Sequence, residues 1–353
     1  VDTHPHLFGY WQQFIADHRN AYPAIRQELE HIEVAIQSLS HRKEGHILGQ
    51  ILYDMGPLYI AWGDLQKIEG LLIQAIALIE PTKTILLGKL KLRLGQLKRH
   101  QMQYDQAEAH LRKGLALTEN MGNNALKLQF LTEIGIVYNC KGQYSKGKHY
   151  LGQALAISQQ ESVGEPILTL FEELGTLAIL ENEAELAEKY QREGLALAVK
   201  LDQKINQVLF LKSLGALHHL NKKPADAAAL FEQGLQIYRE IEYKKGEMLV
   251  YNNLGVVAFY NNEMVTAERH LRLSLDRSKK IHEYQAMRLI LRNLAKWARQ
   301  NGRLSQSKRY FEQLHALAEA QGWDDLATKV QGEIKQLSSG EKTPKSEHLR
   351  VFI

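Results

Sequence analysis

Five cations lie on one line near the end of the chain. Arg288, Arg292, Lys296, Arg299 and Arg303 recur at i, i+4, i+8, i+11 and i+15, a spacing that stacks them on one face of a helix. Like charges so close repel, and an anionic partner would relieve the repulsion. The other reading of the stripe is the solvated polar surface of a terminal element. Upstream, Asn252, Asn253 and Asn293 bring side-chain amides. Each amide offers a donor and an acceptor, which is what an extended peptide backbone presents in return. The same amides could instead solvate a helix or bond to a neighbouring one. Phe259 and Tyr260 would wall the surface with apolar rings, and Lys212 and His219 hold equivalent places earlier in the chain. The chemistry of this set is recognition: a peptide, a protein segment or a small anionic ligand.

Bond-making chemistry has no comparable set. The chain has no His-Glu-x-x-His, no Gly-x-Ser-x-Gly and no Gly-x-x-x-x-Gly-Lys-Ser/Thr stretch, so zinc hydrolysis, a nucleophile elbow and a phosphate loop find no support. Cys140 is the single cysteine and stands in no nucleophile motif. His218 and His219 are adjacent, so a helix points their rings to different faces, which suits packing and solvation better than shared metal ligation. Glu172 and Glu173 would make an acid/base pair only in a cleft that shifts their pKa values; otherwise they are a solvated helix face. No catalytic residue, metal site or cofactor is expected.

Composition narrows the setting. The 353 residues are 44% hydrophobic and 24% charged with 7 prolines, a globular balance that leaves room for long helices. One cysteine excludes an internal disulfide framework and suits a reducing compartment. No apolar run nears the ~18 residues that span a bilayer, and the N-terminus lacks a basic-then-apolar leader. A soluble, cytoplasmic protein is expected, with no membrane partner. The chain opens at Val1 rather than Met, as an excised piece of a longer protein would. The net charge of +4 is too small to imply nucleic-acid binding, and the basic stretch has no base-reading motif. The charge is unevenly placed. Residues 161–193 hold nine glutamates against Lys189 and Arg192, whereas residues 267–310 hold twelve Lys or Arg against Glu268, Asp276 and Glu283. Self-association, acidic middle against basic end, is an expectation that follows.

What positions these residues is a repeat. A Leu-Gly-like step recurs every 40 residues, at Leu94-Gly95, Ile134-Gly135, Leu174-Gly175, Leu214-Gly215, Leu254-Gly255 and Leu294-Ala295. A small residue follows twelve positions later, at Ala107, Gly147, Ala187, Ala227, Ala267 and Ser307, and a large one sixteen later, at Leu111, Leu151, Phe231, Leu271 and Phe311. Such a period is the mark of a stacked array. Each copy reads as two helices of ~17 residues around a polar turn such as Lys141-Gly142-Gln143. Glycine inside a helix costs ~1 kcal/mol relative to alanine, and close approach of the two helices explains why it recurs. Residues 5–40 read as two helices broken near Asn20 to Pro23, and an atypical first copy around Gly56-Pro57 and Gly63 closes at Pro81.

These features resemble the tetratricopeptide repeat in a longer, 40-residue version. The resemblance implies an all-α, right-handed superhelical solenoid of antiparallel helix pairs, with about seven repeats after an N-terminal helical segment. It divides the chain into a helical linker (1–43), a repeat array (44–337) and a flexible tail (338–353). Gln191 in place of the large residue, Ala295 in place of glycine and the missing proline after the second helix depart from the usual pattern. In such arrays the first helices line the concave groove. Positions three and two before the glycine, and one, four and five after it, are expected to face it. The resemblance also gives the position of Asn253 and Asn293 to peptide holding. Tyr10-Trp11, Phe14, His18, Tyr22, Ile25, Glu28, Ile32, Gly56-Pro57-Leu58-Tyr59, Trp62-Gly63-Asp64 and Ala75 are similar to the segment that joins a winged-helix domain to the array in bacterial signal-transduction ATPases of the NB-ARC and MalT-like type. That likeness implies a non-catalytic sensor arm of an ATPase or transcription regulator. A free-standing adaptor is the alternative.

Overall fold

The computed structural model describes residues 10, 11, 14, 15, 25, 27–62, 64–80, 82, 84–118, 122–160 and 164–339. Among them are sixteen helices and no strand. The break near Asn20 to Pro23, Gly63, Pro81 and the tail beyond Ser339 lie outside the described residues. The chain divides into two compact units, Val1–Asn182 and Glu183–Ile353. The first holds α1 (Leu29–His41), α2 (Gly45–Trp62), α3 (Leu65–Leu78), α4 (Thr84–His100), α5 (Tyr104–Thr118), α6 (Asn124–Cys140), α7 (Tyr144–Gln160) and α8 (Pro166–Leu180). The second holds α9 (Ala184–Lys200), α10 (Lys204–Leu220), α11 (Pro224–Glu240), α12 (Lys244–Tyr260), α13 (Met264–Lys280), α14 (Tyr284–Gln300), α15 (Leu304–Ala320) and α16 (Asp324–Ser339). The expected division at 43 and 337 does not coincide with this one, whose boundary falls inside the array.

Helix ends recur every 20 residues, twice as often as the Leu-Gly step. A left-handed residue closes helix after helix, at Met102, Gly122, Gly142, Asn182, Asp202, Lys222, Glu242, Asn262, His282, Gly302 and Gly322. Around Glu242 the pattern is complete: the Tyr243 amide donates to the Tyr238 carbonyl at 2.9 Å and the Glu242 amide to Arg239 at 3.2 Å. This pair of bonds satisfies carbonyls that a helix end would leave bare. The Tyr243 carbonyl then accepts from Glu247, opening the next helix. One three-residue turn therefore ends one helix and starts another, so a proline after the second helix is not needed.

The Leu-Gly step works through the residue sixteen places on. A Cβ at Gly95 would stand 2.5 Å from the Leu111 side chain, at Gly135 2.8 Å from Leu151, at Gly215 2.7 Å from Phe231 and at Gly255 2.7 Å from Leu271. Gly135 and Gly147 also approach, each near the other's carbonyl. A second row of small residues, not singled out in the sequence reading, joins one copy to the next. A Cβ at Gly114 would meet the Phe130 ring at 2.2 Å, and at Gly194 the Phe210 ring at 2.3 Å, while Ser274 in the same row donates to the Met248 carbonyl. The core runs through these seams: Leu111, Phe130, Ile134 and Val137 in the first unit, and Ala267, Leu271, Ile290, Leu294 and Trp297 in the second. In the atypical first copy, Pro57 stands inside α2, and close approach falls instead at Gly45, whose Cβ would lie 2.6 Å from the Leu78 carbonyl oxygen. Among the described residues no helix is long and apolar enough to cross a membrane.

Candidate functional site

The first unit contains a cavity of about 590 Å³ between α2, α4, α6 and the start of α8. Its lining follows the repeat. Tyr53, Asp54 and Pro57 stand three before, two before and one after Gly56; Leu92, Arg93 and Gln96 do so around Gly95; Thr132 and Glu133 precede Gly135. Lys89, Gln129 and Thr169 form a further row, six before each step. These are the groove-facing positions expected from the periodicity, repeated through successive first helices.

Most of the floor is held in place by bonds between copies. Arg93 lies 4.2 Å over the Tyr53 ring and donates from Nε to the Tyr53 carbonyl at 2.9 Å and from Nη1 to Gln96 at 2.7 Å. Gln96 donates to Glu133 at 2.7 Å, and Arg99 closes the other carboxylate oxygen at 3.2 Å. Lys89 sits 5.0 Å over the same Tyr53 ring. Gln129 makes no hydrogen bond to another described residue and is only half-buried, so its amide is available. The cavity thus offers a cation, an amide and hydroxyl groups above a rigid, internally satisfied floor.

Behind it, Glu173 shares a carboxylate cluster with Glu172 and Glu133. Burial above all, then repulsion from Glu172 and Glu133, pushes the Glu173 carboxyl up to about 7, with Arg99 opposing. The solvated-face reading of Glu172-Glu173 therefore does not describe Glu173. Burial likewise pushes the Cys140 thiol up, away from nucleophilic use. Among the described residues no cluster of His, Cys, Asp or Glu could hold a metal ion.

In the second unit the structure gathers some of the expected residues and separates others. Asn252, Asn253 and Asn293 come together, but inside: they are 0%, 0% and 1% exposed. Asn293 donates to Asn252 Oδ1 at 2.9 Å, and Asn252 contacts Asn253 at 3.4 Å. These amides join α12 to α14, the neighbouring-helix reading left open from sequence. A groove position on one first helix is also a contact position for the next, and the short Asn side chain stays within that contact. Phe259, Tyr260 and His219 form a ring cluster, with centroids 5.4 Å and 4.9 Å from Tyr260. Phe259 is buried and Tyr260 is exposed. Burial pulls the His219 imidazole down, which favours its neutral form.

The cation stripe does not present one surface. Arg299 is buried and pairs with Glu333 at 2.6 Å. Arg303 pairs with Glu268 at 3.0 Å and covers the Trp297 ring, and Arg288 lies 5.6 Å over Trp323. Intrachain carboxylates and rings relieve much of the repulsion that sequence reasoning assigned to an anionic partner. Arg292 and Lys296 are half-buried, as is Lys212.

No protein-family model and no curated protein matches the chain. Solved structures do. A signal-transduction ATPase with numerous domains and a tetratricopeptide repeat sensor, from Pyrococcus horikoshii, has a TM-score of 0.61 at 12% identity, covering 94% of this chain and 54% of that one. A Rap protein complexed with competence and sporulation factor has a TM-score of 0.55 at 13% identity, over 93% of this chain and 98% of that one. The Rap conjugation gene regulator of plasmid pLS20, in complex with a Phr peptide, has 0.57 at 15%, over 85% and 78%. At these identities the likeness shows the fold, an all-α tetratricopeptide-like helical-repeat solenoid.

Proposed function

We propose that this chain is a non-catalytic binding module of the cytoplasm that holds a peptide or protein segment along its first helices. The observation that carries the reading is the cavity of the first unit, whose floor repeats the same three groove positions in successive copies. A groove built in register suits a ligand that is itself periodic, and a polypeptide backbone is one. The Rap complex with a Phr peptide supports a peptide ligand on this fold. In the second unit the proposal assigns contact to Lys212, His219, Tyr260, Arg292 and Lys296, over a buried layer of Asn252, Asn253, Asn293, Phe259 and Arg299. The finer role is the sensor arm of a signal-transduction ATPase or transcription regulator. The tetratricopeptide sensor of the Pyrococcus protein and the linker-like residues before Ala75 support it.

The test is selection of peptides from a random displayed library on the immobilised chain, followed by titration of the selected peptides. Thr132→Trp, which fills the cavity, and Arg93→Glu, which reverses its floor charge, are expected to weaken binding at least tenfold. Selected peptides that bind both variants as well as the parent would refute the assignment.

A further inference from the structure

A second cavity, of about 610 Å³, lies on another face of the array, between the second helices α13 and α15. Its lining from α13 is Arg272, Leu275 and Lys279, at i, i+3 and i+7. From α15 it takes Arg309 and Tyr310, with the amides of Gln306 and Gln313. Leu275 and Tyr310 are buried and form an apolar floor, while Arg272, Lys279 and Arg309 are exposed on the rims.

The charges around this cleft are unbalanced. Glu268, at one end, is already engaged by Arg272 at 2.6 Å and Arg303 at 3.0 Å. Asp276 is taken by Lys280 at 2.8 Å and points outside the lining. Lys279 and Arg309 have no carboxylate partner among the described residues. Other cations of the chain, such as Arg299, Arg277 and Lys98, are each matched by an acid. The cleft therefore joins an apolar floor to unneutralised positive rims.

We propose that this cleft docks an acidic amphipathic helix of a partner protein. The geometry selects the pattern. Arg272 and Lys279 are seven residues apart on a helix, about 10 Å along its axis at 1.5 Å per residue. A partner helix lying parallel matches that spacing with carboxylates at its own i and i+7. Its apolar residues at i+3 and i+4 then fall on the same face, over Leu275 and Tyr310. Arg309 reaches the partner from the opposite rim. The site is independent of the first-helix groove, so it gives the module a second, simultaneous partner.

A labelled 14-residue peptide with glutamates seven apart and leucines at the third and fourth positions between them tests this, titrated against the 353-residue chain by fluorescence anisotropy. Binding to the parent chain is expected, with a loss of at least tenfold for Lys279→Glu combined with Arg309→Glu. Retention is expected for Lys279→Arg combined with Arg309→Lys, with unchanged thermal unfolding in both. No binding to the parent, or equal binding of a shuffled peptide of the same composition, overturns the proposal. So does equal displacement by inorganic phosphate, which would make the cleft a simple anion site. If light scattering shows a dimer that the reversal variant loses, the occupant is a second copy and the partner helix is overturned.

Discussion

The carboxyl of Glu173 makes stability depend on pH in a direction opposite to that of most acids. It moves from the ordinary 4.5 to about 7 because burial, Glu172 and Glu133 disfavour its charge. In the unfolded chain it is solvated and titrates near 4.5. The folded state therefore holds its proton more tightly, and the associated stability is fully present below about 4.5 and is lost as pH rises through about 7. At 1.36 kcal/mol per pH unit, the difference between 4.5 and 7 is worth about 3 kcal/mol at most. Coupling to Glu172 and Glu133 shares part of that among the three carboxylates. Glu173→Gln keeps the shape and removes the charge. The variant is expected to match the parent near pH 5 and to exceed it by about 1 to 3 kcal/mol at pH 8. Urea unfolding followed by circular dichroism between pH 5 and pH 8.5 measures both. Parallel stability curves for parent and variant across that range would refute the assignment of strain to this carboxyl.

Three other perturbations test the fold. Gly255→Ala sets a methyl 2.7 Å from the Leu271 side chain and 3.1 Å from its backbone nitrogen. Overpacking of about 1 to 3 kcal/mol, less up to about 1 kcal/mol of regained helix propensity, should lower unfolding stability by about 1 to 2 kcal/mol, and a more stable variant would contradict the close approach. Glu242, exposed with φ of 54°, occupies a region that costs a side chain about 1 to 2 kcal/mol. Glu242→Gly should therefore raise the midpoint of denaturation, by at most about 1 kcal/mol after the entropy of glycine. Asn252→Ala removes the acceptor facing Asn293 inside the core, a loss of about 1 to 3 kcal/mol. A double-mutant cycle with Asn293→Ala should show coupling of at least about 0.5 kcal/mol, and additivity would break the link.

The fold was legible because each copy says the same thing. The glycine before each turn, the small residue twelve on and the large residue sixteen on are contacts within one hairpin, and the period repeats them until chance is excluded. Contacts between copies were harder to read. Asn252 and Asn293 stand 41 residues apart, and neither alone says whether its amide faces a ligand or its neighbour. The buried row of Gly114, Gly194, Gly234 and Ser274 was present at the same period, but it reports on Phe130 and Phe210 in the next copy. Glu133 and Glu173 also shared a row, so their mutual repulsion was visible in principle. What sequence could not supply was the burial that turns that repulsion into a raised pKa. The cavity of the first unit was missed for a related reason: Arg93, Thr132 and Glu133 occupied groove positions, yet attention went to the denser cations near residue 299.

The left-handed residue that recurs every 20 positions bears on how such a chain changes length. Because the same turn ends first and second helices alike, the join at Asp202 and the join at Glu242 are interchangeable parts. Excision of residues 204–243 would bring Gln203 against Lys244, each already at the mouth of a first helix, and every later side chain would keep its phase. Excision of only 20 residues would rejoin identical turns yet set a second helix where a first belongs, reversing which faces are small and which are large. The currency of gain and loss is therefore the pair, even though the chain punctuates itself helix by helix.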